Sequence, residues 1–282
     1  NGKPKFAMYW AASCGGCEIA VLNIHEKILD VDANFDVVFW PVAMDAKYKD
    51  VEAMADGEIT LCLFNGAMRN DENVHMARLL RRKSKILVAF GSCANEGCMP
   101  ALANLSNLRD IVPVDFHMPG CPPESHQIAA VVDLVVNVLK GKATLPPATS
   151  VIGAGGSTVC DECKRTRSEK KIKQFVRIQE IKPPDPDVCL REQGVGCRGI
   201  ATRSGCGALC PMAGSPCVGC YGPADGVVDY GARLMSAVAS IIDSNDPAEI
   251  ERILDGIPDP AGSFYRFNMA GSLLRGSKAA WT

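Results

Sequence analysis

Lys5-Phe6-Ala7-Met8-Tyr9-Trp10, then Ser13-Cys14-Gly15-Gly16-Cys17-Glu18, leading into an amphipathic run from Cys17 to Leu29, is the stretch on which the fold is read. A short β-rich apolar run, a glycine-bearing loop and a segment with apolar residues at three- and four-residue intervals make one strand–loop–helix unit. The pattern recurs up to about Gly141. Strands are predicted at Lys5–Trp10, Asp36–Val42, Ile59–Phe64, Lys85–Phe90 and Val112–His117, and helices at Cys17–Leu29, Lys47–Met54, Glu72–Lys83 and Glu124–Lys140. Alternation of this kind predicts an α/β fold, a doubly wound parallel sheet occupying residues 1–143.

Past this point the composition changes. The run TLPPATS, residues 144–150, reads as a linker, because adjacent prolines cannot continue a helix. Eight cysteines, many glycines and few large apolar residues follow between Cys160 and Cys220. Such a stretch cannot build an ordinary core and is expected to be held by metal cages, giving a second, cysteine-rich domain over 151–282. Within it, Val227–Asp243 and Pro247–Leu254 are predicted helices.

The chain has 282 residues, 47% of them hydrophobic, enough for one large or two modest cores, and 30 basic residues nearly balance 32 acidic ones. No global field is expected to recruit nucleic acid or an anionic membrane. The longest apolar stretch, Ile128 to Leu139, is broken by Asp133 and Asn137 and falls short of the ~20 residues of a membrane span. Phe6 to Trp10 is too short for the apolar region of a signal peptide, and no twin-arginine pair stands near the start. A cytoplasmic, reducing setting is therefore expected, in which the fourteen cysteines act as ligands rather than as disulfides.

An open α/β sheet carries its functional residues in loops beyond the carboxyl ends of its strands. Cys14 and Cys17 follow the first predicted strand, Cys93 in Gly91-Ser92-Cys93-Ala94 follows the fourth, and Cys121 in Pro119-Gly120-Cys121-Pro122-Pro123 follows the fifth. Four thiolates meeting at one edge are what a cubane iron-sulfur cluster requires. The neighbouring glycines let the backbone come close to it. In the second domain Cys160, Cys163, Cys189 and Cys197 are assigned to one cubane, and Cys206, Cys210, Cys217 and Cys220 to another. The split stays open, since ferredoxin-like folds send the last cysteine of a run to the other cluster. Zinc is also content with four cysteines, but three sets of four over two domains suit an electron path, whereas a structural zinc site more often stands alone.

Two cysteines are left over. Cys62, mid-strand in Ile59-Thr60-Leu61-Cys62-Leu63-Phe64, reads as a small buried hydrophobe. Cys98, five residues after Cys93, either replaces it or lines the site, and the second reading is preferred because Cys93 follows its strand directly. His117 is a candidate hydrogen-bond partner of a cluster, while His25, His75 and His126 read as surface or packing residues on helices. Glu18 is a carboxylate beside Cys17, read either as a proton relay or more plainly as a charge on the first helical turn. The glycine loop Gly153-Ala154-Gly155-Gly156 lacks the strand–helix setting of a nucleotide-binding turn.

Taken together, Ser13-Cys14-Gly15-Gly16-Cys17-Glu18, Gly91-Ser92-Cys93-Ala94, Pro119-Gly120-Cys121-Pro122-Pro123, Cys206-Gly207-Ala208-Leu209-Cys210-Pro211 and Pro216-Cys217-Val218-Gly219-Cys220 resemble the small subunit of nickel-iron hydrogenases. The resemblance covers nearly the whole chain and is nearest to the cytosolic group containing the methyl-viologen-reducing (F420-non-reducing) hydrogenases of methanogens. It implies a flavodoxin-like first domain holding a proximal cluster on Cys14, Cys17, Cys93 and Cys121, and a ferredoxin-like second domain holding medial and distal clusters. Periplasmic members have a histidine ligand where Cys160 stands here, and a three-iron medial cluster where Cys210 offers a fourth thiolate. Three 4Fe-4S clusters are therefore expected.

The resemblance further implies that nickel lies on a partner large subunit, with no catalytic residue in this chain. It also implies a third electron-accepting iron-sulfur or flavin subunit, with heterodisulfide reductase of methanogenesis as a downstream acceptor. Two alternatives compete. One is the proximal-cluster subunit of an NADH-dehydrogenase-like complex, which resembles the first domain but lacks the second. The other is a zinc-stabilised interaction module.

Overall fold

The computed structural model describes residues 2–103, 105–167, 171–181 and 183–275. Two compact units divide the chain: one runs to Ala154 and takes in the segment from Met269, and the other is Gly155–Asn268.

In the first unit six parallel strands form one sheet in the order β2-β1-β3-β4-β5-β6. They are β1 (Lys5–Trp10), β2 (Asp36–Phe39), β3 (Ile59–Asn65), β4 (Ser84–Phe90), β5 (Phe116–Met118) and β6 (Ser150–Val151). The chain steps outward from β1 to β2 and then returns to β3 on the other side of β1, so the strand order reverses between β1 and β3. Such a switch point opens a crevice at the carboxyl edge of the sheet.

Alternation along β1 explains why both faces are covered. Ala7 and Tyr9 belong to one buried cluster with Phe64, Leu87, Val51, Met76 and Leu80, whereas Phe6 and Met8 belong to the other with Phe90, Ala20, Val21, Val31 and Ile128. The helices supplying these residues are α1 (Gly16–Leu22), α2 (Ile28–Asn34), α3 (Tyr48–Ala53), α4 (Asp71–Lys83), α5 (Ser92–Glu96) and α6 (Ser125–Leu139). Each fully buried large side chain contributes about 1.5–3 kcal/mol. α4 shows how local sequence sets an end: the Asn70 side chain accepts from the Asn73 N–H at 3.0 Å, Asp71 and Glu72 fill the first turn, and Arg81, Arg82 and Lys83 fill the last.

Several expectations need correction. The helix expected over Cys17–Leu29 breaks after Leu22, because His25 takes a left-handed backbone (φ 56°) in a 3-10 turn before α2. The strand expected at Asp36–Val42 ends at Phe39, and Pro41, which has no N–H for a ladder, lies just beyond. The strand expected from Val112 starts only at Phe116, since the N–H of Val112 closes a helical turn on the Leu108 carbonyl at 3.1 Å. β6 lies at the end of what reads as a linker, where Ile152 donates to His117 at 2.9 Å.

The segment from Met269 groups with the first unit, whereas the sequence places it in a domain ending at 282; residues 276–282 lie outside those described. Its anchor is Arg275, which donates to Asp110 at 3.1 Å and to Ser106 at 2.9 Å.

The second unit carries short elements: α7 (Val159–Glu162), α8 (Leu209–Met212), α9 (Tyr230–Ala239), α10 (Pro247–Asp255) and α11 (Pro260–Tyr265). Buried arginines satisfy carbonyls that no ladder reaches. Arg165 donates to the carbonyls of Pro211 at 2.7 Å and Val188 at 3.0 Å, and Arg203 to those of Gly155 at 2.7 Å and Pro223 at 3.0 Å and to Asp225. α9 rests on α11 where a Cβ on Gly231 would meet the Tyr265 ring at 2.1 Å, a contact open only to glycine. Among the described residues no helix is long and apolar enough to cross a membrane.

Candidate functional site

In the first unit the loops after β1, β3, β4 and β5 converge at the carboxyl edge of the sheet. The loops after β1 and β3 are laced by paired bonds between Ala12 and Ala67, 3.1 and 2.9 Å, and a Cβ on Gly66 would lie 2.8 Å from that neighbouring backbone. Gly15, at φ 83°, turns the chain from Cys14 into α1, so Cys14 stands exposed while Cys17 is buried on the first helical turn. The loops after β4 and β5 are joined by Gly91 donating to Met118 and Ser92 donating to Gly120, both at 2.8 Å. That junction brings Cys93 and Cys121 to the same place. Asn95 locks it from below, its amide donating to the carbonyls of Ala89, Gly91 and Met118 at 2.9 Å each.

Burial pushes the Cys17 thiol up, and the charges of Cys93, Glu18, Cys121 and Cys14 add to it, so the other three cysteines assigned to this edge all act on Cys17. Cys98 is buried with its sulfur 3.8 Å from that of Cys121. The Cys98 thiol donates in this contact. It holds Cys121 down at about 7, against the opposing effect of burial, while Cys98 itself is pushed far up by its contacts with Cys121 and Cys93. Cys98 thus lies buried directly against the sulfur of Cys121.

Two other residues take places the sequence left undecided. Glu18 is buried rather than a surface charge: its Oε1 accepts from the Asn65 amide at 2.5 Å and its Oε2 is buried without a hydrogen-bond partner. His117 pairs through Nδ1 with Asn95 Oδ1 at 2.8 Å. Asn65 and Asn95 went unread in the sequence. The signal available was that each ends or follows a strand whose loop carries the site.

In the second unit Cys160, Cys163, Cys189 and Cys197 line one cavity, together with Arg165, Arg167 and Arg191. Burial pushes the Cys160 thiol up to about 12, with the Cys197 charge adding and Arg167 opposing. Burial pushes the Cys197 thiol up, opposed by N–H bonds from Gly199 and from Cys217, the latter at 3.2 Å. Cys206 is raised by burial and lowered by the N–H groups of Ala208 and Leu209; it senses Cys210. Cys217 is raised by burial and by the Cys197 charge, and it senses Cys220. Cys62 is fully buried within β3, apart from both gatherings.

Among the described residues no three His, Cys, Asp or Glu side chains are placed to hold a single metal ion. The donor sets fit a larger group: thiols spread around a space, with backbone N–H groups aimed at sulfur. A Cβ on Gly91 would lie 2.4 Å from the Cys17 sulfur, so the backbone there is bare where that thiol needs room.

The model of the family described as NADH ubiquinone oxidoreductase, 20 Kd subunit, matches residues 14–135. The chain is 34% identical to the iron-sulfur subunit of the F420-non-reducing hydrogenase of Archaeoglobus profundus, over 96% of this chain and 97% of that one. It is 32% identical to a subunit of the F420-non-reducing hydrogenase of Methanothermobacter marburgensis, over 96% of each. In fold it is similar to a chain of the reduced, active nickel-iron-selenium hydrogenase from Desulfomicrobium baculatum, with a TM-score of 0.56 and 20% identity over 80% of this chain and 96% of that chain.

Proposed function

The chain belongs to the family of F420-non-reducing hydrogenase iron-sulfur subunits, and from that premise we propose that it is the electron-transfer small subunit of a nickel-iron hydrogenase in the cytoplasm. The observation that carries this reading is the gathering of two separate cysteine foursomes in one chain, one at the sheet's carboxyl edge and one round a cavity of the second unit. The family match at residues 14–135 favours a shared first domain with the NADH dehydrogenase relatives, but it ends before any of the eight cysteines from Cys160 onward.

In this reading Cys14, Cys17, Cys93 and Cys121 hold a proximal 4Fe-4S cluster. Cys160, Cys163, Cys189 and Cys197 hold the distal one, and Cys206, Cys210, Cys217 and Cys220 the medial one. The clusters supply one-electron redox chemistry when bound. The chain's own residues do the rest. Cys98 donates its thiol proton to Cys121, and the N–H groups of Gly199 and Cys217 donate to Cys197, all of which favours thiolate and a more negative local charge. At that edge Cys17 and Cys93 are buried, while Cys14 stands exposed.

Hydrogen is cleaved on a large subunit that carries the nickel. A third iron-sulfur or flavin subunit takes the electrons towards an acceptor such as heterodisulfide reductase. The chain produced alone, with clusters reconstituted, should accept electrons from a chemical reductant and show no hydrogen uptake. Adding the mature large subunit should restore hydrogen-dependent dye reduction. Hydrogen oxidation by the isolated chain, or stoichiometric nickel on it, would overturn the reading.

A further inference from the structure

Three arginines of the second unit are buried: Arg165, Arg191 and Arg203. Arg165 and Arg203 are spent on backbone carbonyls and, for Arg203, on Asp225. Arg191 differs. It is 7% exposed, and its Nη2 is buried with no hydrogen-bond partner. A buried guanidinium without an anion is costly, because desolvation of the charge goes uncompensated.

Two cavities border Arg191. One is lined by Cys160, Cys163, Cys189 and Cys197. The other, of about 390 Å³, is lined mostly by apolar residues, with Cys197 and the arginines Arg177, Arg198 and Arg266. Among the described residues, neither has an Asp or Glu in its wall. Apart from Cys197, which borders both cavities, the larger one brings Arg191 further cations and no carboxylate, and the smaller one brings it the thiols of Cys160, Cys163 and Cys189.

Resting on the ligand assignment above, we infer that Arg191 is a positioning residue for electron transfer: its guanidinium faces the sulfur cage of Cys160, Cys163, Cys189 and Cys197, donates Nη2–H to it and makes that cluster easier to reduce. Each reduction adds one electron and no proton to the cavity. A fixed positive charge a few ångströms away stabilises the added charge, and no bond at Arg191 is made or broken. Electrons arriving in the second unit would then settle at this cluster rather than flow back.

The test is a redox titration of the full-length chain with its clusters, following each by electron paramagnetic resonance. Arg191→Gln should lower the equilibrium constant for one-electron reduction of this cluster about tenfold, a shift of about 59 mV to more negative potential. The other clusters should not move. Arg191→Lys, which keeps the charge, should restore most of the shift, a rescue that a merely structural role would not produce. An unchanged potential in Arg191→Gln with full iron content would overturn the inference. Should Arg191→Gln lose its iron, the wild-type chain labelled with 15N in the arginine guanidinium decides. A nitrogen coupling to this cluster, lost in Arg191→Lys, supports the inference, and its absence from the wild type ends it. Failure of the underlying assignment looks different: iron content would be one cluster short in the wild type, and Cys189→Ser would remove none.

Discussion

The two units reach order by different means. The first buries two large apolar clusters on either face of a six-stranded sheet, with Phe39, Phe64 and Phe90 entirely inaccessible. The second has small clusters in which Cys197 and Cys217 stand beside Val159, Leu190 and Val195 as core residues, and its carbonyls are tied by Arg165 and Arg203. In the first unit Cys17 and Cys62 are minor members of clusters built from large apolar side chains. In the second unit cysteines are part of what fills the interior, so under the proposed ligand assignment metal binding and folding are expected to be coupled there.

That contrast can be broken most severely by taking the metal away. Iron chelation under reducing conditions should cost residues 155–268 most of their amide protection while the sheet strands of the first unit stay protected, as hydrogen exchange would show. Equal loss in both units would remove the distinction.

Next in size, Cys121→Ser should remove one cluster's iron and most hydrogen-dependent dye reduction in the assembled enzyme, leaving the second unit's iron in place; metal analysis with activity measures both. Gly91→Ala should act on the same cluster more weakly. It forces a Cβ to within 2.4 Å of the Cys17 sulfur at a backbone with φ 81°, costing about 1–3 kcal/mol, and should give partial iron loss from the first unit alone. Smallest is Cys62→Ser, which buries a hydroxyl in the middle of β3. It should lower unfolding free energy by about 1–3 kcal/mol in a denaturant titration with iron content unchanged.

The sequence made the first unit legible because period and loop chemistry agreed there. β1 begins and ends where the apolar run does, and Cys93 and Cys121 follow β4 and β5 as the strand count required, Cys93 on the first turn of α5 rather than in a loop. Its misses have local causes. His25 adopts a left-handed backbone that no apolar pattern announces, and β6 is two residues long and pairs with β5 only because the sheet is already built. The return of the segment from Met269 depends on Arg275 meeting Asp110, 165 positions away, a contact that no window on the sequence contains. In the second unit the spacing of cysteines was readable but the supporting residues were not. Arg191 sits two places after Cys189 and looks like any surface arginine until its burial is seen.

Three sets of four cysteines are proposed as cluster ligands, one set in the first unit and two in the second. Iron and acid-labile sulfide per chain, counted on the anaerobically purified protein, test this most directly. The account predicts about twelve of each, as three cubanes require, falling by four in Cys121→Ser and by four in Cys189→Ser. Four irons per chain, or zinc in place of iron in the second unit, would contradict it.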